Sequence, residues 1–396
     1  MEETDRLFQC DFCKVNSYLT ARGAFHYLLP STAPPDRHLI YFPYWRFKGM
    51  LFSCLPGEIR DRFIDVSHQA IGSMHFPISV GFRSQTLKLR FATADTPGRF
   101  LAPVLQLDEV VAQFMERFSR DLPKPILHQA QIGEAASIIY APYYMNGNGR
   151  LVDAVLDEPA AATLAGELDL NAFAGGPTPF HLDFLATLCP HCGWDLTGNR
   201  DSLVLACPNC QRAWTARGKR LVELKLAHLP AATETSVLYL PFWRIAADVS
   251  GISLASYADM VRAANLPRVP RPGWEKIGFR FWAPAFKVRP QFYLRLATSV
   301  TVSQPVEKPT PQLPPAAQNT HPVNLPLSEA VETLKLNIAS FLTPRQRVEE
   351  LLPKIDIAAR KFLLVYLPFE QRHHEYVHTG MNLAIHKSHL RLAKNL

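Results

Sequence analysis

The most informative stretch of this chain is Cys189-Pro190-His191-Cys192-Gly193-Trp194, followed after a short segment by Cys207-Pro208-Asn209-Cys210. Two C-x2-C pairs separated by strand and turn formers can bring four thiolates to one tetrahedral point. Turn formers at 197–201 and apolar residues at 202–206 predict a hairpin between the pairs. The pattern therefore predicts a structural Zn²⁺ held by Cys189, Cys192, Cys207 and Cys210.

With its Cys-Pro-x-Cys-Gly loop, the stretch 189–210 resembles a zinc ribbon of the rubredoxin-like kind. The resemblance covers a short part of the 396 residues and implies a metal and a local fold. Zinc ribbons occur in proteins of unrelated function, so the resemblance implies no activity. His191 lies inside the loop, where we expect a turn residue rather than a ligand.

Composition sets the broad class of the chain. An apolar fraction of 47% over 396 residues is enough for the cores of two or three domains. All cysteines except Cys54 lie in C-x2-C pairs, which is how proteins of a reducing compartment use cysteine. The first residues lack a signal-peptide pattern, and no apolar run is long enough to cross a membrane. We expect a cytoplasmic protein without a transmembrane segment.

Five landmarks occur twice in the same order along the chain. The two members of each pair are 10–13 and 207–210, 41–46 and 239–244, 87–93 and 292–298, 105–110 and 325–330, and 140–143 and 366–369. Self-similarity of this kind predicts an internal repeat. We therefore predict an α+β, mostly β protein of two tandem-duplicated units, each with one main helix, joined by a zinc ribbon.

The repeat also predicts the main elements of each unit. Apolar residues at helical spacing indicate helices over 105–119 and 328–342, the second capped by Ser328. Alternating residues at 87–93 and 292–298 favour strands with one wet face. A hairpin over 138–156 turns at the Asn-Gly-Asn-Gly of 146–149. Proline cannot donate a ladder hydrogen bond, so we expect kinked or edge strands at Pro43, Pro142, Pro241 and Pro368.

These elements divide the chain into six segments. We predict a first β-rich unit at 1–156, an Ala/Gly/Pro connector with a short helix at 157–184, the ribbon at 185–217, the first part of unit two at 218–302, a Pro-rich linker at 303–327, and the helix and C-terminal hairpin of unit two at 328–396.

Cys10 and Cys13 stand where the repeat places the second cysteine pair of the ribbon. No first pair precedes them in the sequence, so four thiolates cannot close locally. Three interpretations remain open: a vestige of the duplication, a second metal site completed by His26, Cys54 or a partner, and a dithiol redox pair.

The tail contains His374-Glu375-Tyr376-Val377-His378, which matches the H-E-x-x-H pattern of zinc metallopeptidases. That chemistry needs a helix, because only a helix places both His on one face with the Glu beside the metal. The repeat aligns these residues with a hairpin, so we predict a strand and no peptidase activity. His373, His386 and His389 then belong to a solvated, His-rich edge.

Positive charge is concentrated between 262 and 295. Against the single acid Glu275, this stretch carries Arg262, Arg268, Arg271, Lys276, Arg280, Lys287, Arg289 and Arg295. The Pro-rich insertion 267–272 is absent from unit one, so the shared fold does not require it. We expect a partner-binding surface here, for an acidic protein before nucleic acid.

The sequence as a whole favours a non-enzymatic zinc-ribbon scaffold, a subunit or adaptor of a larger assembly. A nucleic-acid-binding protein that uses 262–295 is the alternative. A zinc metallopeptidase at 374–378 is the third hypothesis, and it requires a helix at His374.

Overall fold

The computed structural model of the protein describes residues 5–12, 14–21, 23–164, 175–176, 182–231, 236–305, 307–315 and 319–392. The fold is mostly β, as predicted. The strands before the four-cysteine stretch are β1 (Leu7–Gln9), β2 (Asn16–Ala21), β3 (His26–Leu28), β4 (Ile40–Leu55), β5 (Glu58–Gln69), β6 (Arg90–Phe91), β7 (Arg99–Leu101), β8 (His128–Met145), β9 (Arg150–Asp153), β10 (Glu158–Leu164), β11 (Gly175–Gly176) and β12 (Leu182–Ala186).

The later strands are β13 (Val204–Ala206), β14 (Ala213–Arg217), β15 (Arg220–Leu224), β16 (Leu226–His228), β17 (Val237–Ser250), β18 (Phe281–Pro284), β19 (Asn319–Thr320), β20 (Asp356–Gln371), β21 (Glu375–His378) and β22 (Leu383–His386). The helices are α1 (Arg83–Thr86), α2 (Leu107–Ser119), α3 (Tyr257–Ala263), α4 (Pro290–Ser303), α5 (Leu327–Glu332), α6 (Leu334–Phe341), α7 (Arg345–Leu351) and α8 (Lys387–Leu392). Short 3-10 turns lie at Trp274–Lys276, Leu352–Lys354 and Thr379–Met381. No helix among the described residues is long and apolar enough to cross a membrane.

Two large sheets share one pattern of pairing. In the first, β4 and β8 are antiparallel, β3 runs parallel to β8, and β7 runs parallel to β4. In the second, β17 and β20 are antiparallel, β16 runs parallel to β20, and β19 runs parallel to β17. The pairing recurs where the sequence landmarks recur, which supports the repeat; its origin by duplication stays a prediction.

Registers and hydrogen bonds recur as well. Pro43 lies opposite Tyr140 in the first sheet, and Pro241 lies opposite Tyr366 in the second. The Trp45 indole N–H donates to the Leu105 carbonyl over 2.9 Å. The same bond, 3.0 Å long, joins Trp243 to Leu325.

The four strand prolines lie inside the central strands, so the expected edge positions are wrong. At each proline, one side of the strand passes from one partner strand to another. On β4, the partner is β7 before Pro43 and β5 after it. The Pro43 carbonyl accepts from the Ala70 N–H on that side, over 2.9 Å. Because N and O of one residue point the same way in an antiparallel ladder, the nitrogen that lacks a proton faces the junction between two partners.

The predicted strand over 292–298 is wrong, because these residues lie in α4. Pro290 begins the helix at a position where its missing N–H costs nothing. Its buried residues follow helical spacing: Tyr293, Leu296, Ala297, Val300 and Thr301. The matching strand over 87–93 is reduced to the two residues of β6.

The other predicted elements are close to those observed. The first main helix is α2, which Gln106 and Glu109 cap reciprocally. The second is divided at Thr333 into α5 and α6, and its N-cap is Pro326 rather than Ser328. The hairpin over 138–156 is confirmed by β8 and β9, which join through Asn146–Gly149.

The two halves share one core and are not joined through the four-cysteine stretch alone. The far ends of β4 and β8 bury Met50, Phe52 and Ile132 against residues of α4 and α6. A hydrogen bond crosses the same boundary, from the Gly133 N–H to the Glu329 carboxylate over 2.7 Å. Burial of both surfaces together makes the halves mutually dependent for stability.

Part of the predicted Pro-rich linker is packed against the fold. Thr310 bridges to His228, β19 pairs with β17, and Val323 and Leu325 are buried. In the predicted connector 157–184, residues 158–164 form β10 rather than a helix. Residues 165–174 and 177–181 of that connector lie outside the described residues.

Candidate metal centre

The four predicted ligands come together at the ends of two loops. Cys189 and Cys192 lie in the loop closed by the Leu188–Asp195 bridge, and Cys207 and Cys210 lie between β13 and β14. The sulfur atoms are 3.6 Å apart in the Cys189–Cys210 pair and 3.5 Å apart in the Cys192–Cys207 pair. All four lie within 4.8 Å of one another.

This spacing fits a tetrahedral metal–thiolate site. A Zn–S bond of about 2.3 Å and tetrahedral angles require sulfur atoms about 3.8 Å apart. Cys189 and Cys207 are buried, whereas Cys192 is exposed, so the group lies at the surface with one side covered. In the part of the chain that the structure describes, this is the one group of three or more His, Cys, Asp or Glu side chains placed to hold a metal ion.

The surroundings of Cys192 and Cys210 shift the pKa values of these two thiols in opposite directions. The Trp194 backbone N–H stabilises the Cys192 thiolate and lowers the pKa of that thiol to about 6. Loss of solvation raises the pKa of Cys210 to about 12. A divalent cation would favour the thiolate form of all four, so metal binding releases protons from the site.

The two ligand loops have the same backbone hydrogen bonds. The Cys189 N–H donates to the Trp194 carbonyl over 2.8 Å, and the Gly193 N–H donates back to the Cys189 carbonyl over 2.8 Å. In the second loop, the Cys207 N–H donates to the Arg212 carbonyl over 2.8 Å, and the Gln211 N–H donates to the Cys207 carbonyl over 3.0 Å. The fifth residue of each loop has positive φ, at 73° for Gly193 and 57° for Gln211.

A third loop, at Cys10, has this geometry too. The Cys10 N–H donates to the Val15 carbonyl, and the Lys14 N–H donates to the Cys10 carbonyl, each over 2.9 Å. Lys14 has a φ of 57°, as Gln211 has. This conformation could not be predicted from the residue types, because Lys and Gln seldom adopt positive φ. Cys10 is exposed, and Cys13 lies outside the described residues.

His26 and Cys54, which we considered as further ligands for Cys10, both have packed surroundings. His26 packs against Tyr140, with Nδ1 3.5 Å from the phenol oxygen, and burial lowers its pKa to about 4. Cys54 is 1% exposed within the shared core. Its thiol therefore faces that core and not the surface at which Cys10 is exposed.

The metal-site module contacts both halves of the protein. On one side, Tyr18 of β2 packs with Cys189, Leu205 and Trp214 in one small core. On the other side, the Leu203 N–H donates to the Val323 carbonyl over 2.7 Å. Closing the metal site therefore stabilises contacts to β2 and to the segment before α5 at once.

Large apolar side chains are exposed where the loops end. Phe12 is 98% exposed, Val15 53%, Leu188 52% and Trp194 57%. The Thr187 hydroxyl donates to the Asn16 carbonyl over 2.9 Å, which brings the Cys10 loop beside the Cys189 loop. We call Phe12, Val15, Leu188 and Trp194 the loop-end surface.

Four of the five H-E-x-x-H residues form the strand Glu375–His378, as predicted, and His374 lies in the bend before it. The His378 ring packs edge-on against Phe369, and burial lowers its pKa. The His374 ring instead lies parallel to that of His386, at a centroid distance of 6.2 Å. The helix on which zincin chemistry depends is absent at these residues.

Of the eight basic residues, seven are exposed and one is buried. Lys287 is 7% exposed and therefore lies inside the protein. Arg262 is held by Asp259 and Glu275, and Arg268 donates to the Tyr257 hydroxyl. Both arginines are exposed, as are the remaining five residues: Arg271, Lys276, Arg280, Arg289 and Arg295.

Comparison with known proteins adds no family to this description. No family model, no curated protein and no solved structure matches the chain.

Proposed function

We propose that the chain is a non-enzymatic binding protein, a subunit or adaptor, built around a zinc ribbon. Its four-cysteine group holds a structural Zn²⁺, and its loop-end surface receives a protein partner. The observation that carries the proposal is the exposure of four large apolar side chains at the ends of the cysteine loops.

Zinc is the metal that suits this group best. Four thiolates at tetrahedral spacing favour Zn²⁺, and they leave no position open for a water molecule that could attack a substrate. The metal would then order the loops and, through them, the apolar residues that they carry. This supports a structural role for the ion.

The loop-end surface supports a binding role. Contiguous exposed apolar residues on a folded protein mark interaction sites more often than scattered ones do. Trp194 is the type of residue that dominates the binding energy of protein interfaces. The surface also joins two loops whose positions the Thr187–Asn16 hydrogen bond holds together.

Replacement of Leu188 and Trp194 by Ser tests this. Proteins that co-purify with the native chain should be lost from this double variant, while its zinc content and thermal unfolding stay unchanged. A matched control is Val104→Ser with Leu156→Ser, two residues of similar exposure, 58% and 54%, elsewhere on the surface. Equal capture by all three proteins would show that the partner binds elsewhere.

Nucleic-acid binding is the less favoured function. Lys287 is buried and Arg262 already has two acidic partners, so the basic stretch offers no continuous track for a phosphate backbone.

A further inference from the structure

A second surface combines arginines of α4 with histidines of the C-terminal hairpin. The rings of His373 and His374 are 4.1 Å apart, those of His374 and His386 6.2 Å, and those of His386 and His389 5.7 Å. The His389 ring also stacks on Phe292 of α4 at 3.7 Å. We call the six cationic or titratable residues the His–Arg track: Arg289, Arg295, His373, His374, His386 and His389.

The two arginines extend the track along α4. Arg289 and Arg295 lie three residues before and after Phe292, so they flank the ring on which His389 stacks. Both are exposed, and neither has an ion pair within the described part of the chain. The nearest acid in the pairing pattern is Glu375, which lies opposite His386 and is half-buried.

We propose that the His–Arg track binds an acidic, extended segment of a partner protein. This inference rests on the proposed function in one respect, that the chain is a binding protein. The surface it concerns is a different one from the loop-end surface. Alternate side chains of an extended segment are about 6.6–6.8 Å apart on one face. That repeat is close to the 5.7 and 6.2 Å between successive histidine rings.

An acidic peptide fits the track better than single-stranded nucleic acid does. Bases bind such tracks by stacking on exposed ring faces. Here the Phe292 face is covered by His389, and the Lys387 ammonium lies 5.4 Å from the centre of the Tyr376 ring. Carboxylates need only ring N–H and guanidinium groups, which the exposed residues His373, His374, Arg289 and Arg295 carry. His386 contributes through Nε2, because its Nδ1 lies 2.6 Å from the Ser388 hydroxyl.

Binding should strengthen as the pH falls. Protonation of an imidazole adds a positive charge as the pH falls, and each added charge attracts carboxylates that are still ionised. Burial, and then His386 and the two arginines, lower the pKa of His389, so this ring gains its proton only at lower pH than an ordinary histidine. Glu375 faces His386 across the strand pair and offsets part of the added charge.

The test uses the full-length chain and a fluorescent decaglutamate peptide in an anisotropy titration at low salt. We expect affinity at pH 6 to exceed that at pH 8 by about tenfold, and Arg289→Ala with Arg295→Ala to weaken binding about tenfold at both pH values. The control pair is Arg60→Ala with Arg120→Ala, whose side chains are 48% and 70% exposed elsewhere. His374→Asn with His386→Asn should remove most of the pH dependence and keep the contribution of the arginines.

Three outcomes overturn the proposal: equal binding of decaglutamate to the arginine variant and to the control, an affinity that does not change with pH, and tighter binding of a (dT)10 probe than of decaglutamate. Circular dichroism melts confirm that each variant is folded. The Leu188→Ser with Trp194→Ser protein should bind decaglutamate normally, which separates failure of this inference from failure of the proposed function.

Discussion

At the scale of single residues, the cysteines of the metal site are its most predictable part. Tetrahedral coordination restricts which spacings can bring four sulfur atoms together, so the two C-x2-C pairs were sufficient to predict which cysteines cluster. Lys287 was not predictable in this way. Its charge suggests exposure, yet it is buried, and its backbone N–H donates to the side chain of Asn324, a residue remote in sequence.

Cys207→Ser should abolish stoichiometric metal binding. The serine hydroxyl is a poor ligand for Zn²⁺ and leaves three thiolates at an open site, so the bound ion becomes easily lost. Elemental analysis of the purified protein should show about one zinc per chain for wild type and a small fraction of that for the variant. Arg212→Ala, which removes only an exposed ion pair with Glu223, serves as control. Full zinc content in Cys207→Ser would disprove the assignment.

His128 should make the fold sensitive to acid. Burial, and secondarily Lys335, lowers its pKa from 6.5 to about 4. Between these values the unfolded chain binds a proton that the folded protein does not, so stability falls as the pH is lowered from about 6.5 to 4.

Thermal unfolding of wild type and His128→Leu at several pH values tests this contribution. The substitution should reduce the loss of melting temperature over that pH range, whereas His38→Gln, at an exposed histidine, should leave it unchanged. Parallel curves for wild type and His128→Leu would mean that His128 does not titrate in the way its burial requires.

At the scale of elements, the main error of the sequence analysis concerns α4. The segment 292–298 alternates well enough to predict a strand, and its apolar residues also fit a helical face, as short apolar segments often do. Pro290 could have resolved the ambiguity, since proline is favoured in the first turn of a helix. The turn of the β8–β9 hairpin could be predicted from its Asn and Gly residues alone, because these residues favour the turn conformation.

The close approach of β4 and β8 at Gly49 and Gly133 is a second element-scale feature. The two glycines are paired, and a Cβ on Gly133 would lie 2.6 Å from the Lys48 carbonyl oxygen. Gly133→Ala should therefore destabilise the fold by about 1–3 kcal/mol, because both backbones would have to move apart. Gly147→Ala, where nothing lies within 4 Å of the added carbon, should change stability by less than about 0.5 kcal/mol. Urea unfolding measures both, and equal midpoints would contradict the packing described.

At the scale of the whole molecule, the repeat predicted where the two sheets recur but not that they share a core. Periodicity identifies which side chains are buried, and it does not say which buried faces meet. The far ends of β4, β5 and β8 have apolar faces that an isolated unit would leave exposed, and α4 and α6 of the other half cover them.

The shared core predicts a single cooperative unfolding transition. Phe52 is fully buried, and its ring lies 6.3 Å from that of Tyr293 in the other half. Phe52→Ala should cost about 3–5 kcal/mol and lower the temperature of the whole transition in calorimetry. Phe63→Ala, at a ring that is 39% exposed, should cost much less. Two separate transitions, of which only one shifts, would show that the halves unfold independently.

The shared core also bears on how the protein is made. Ile132 leaves the ribosome 209 residues before Phe341, the last residue of α6, and at about 5–20 residues per second this is a delay of about 10–40 s. Until α4 and α6 have been made, Met50, Phe52 and Ile132 lack the residues of the second half that cover them. Translation therefore passes through a stage in which half of a core is synthesised and unprotected. A chaperone should therefore be needed to hold the nascent first half until the second arrives, and the need should grow as translation slows.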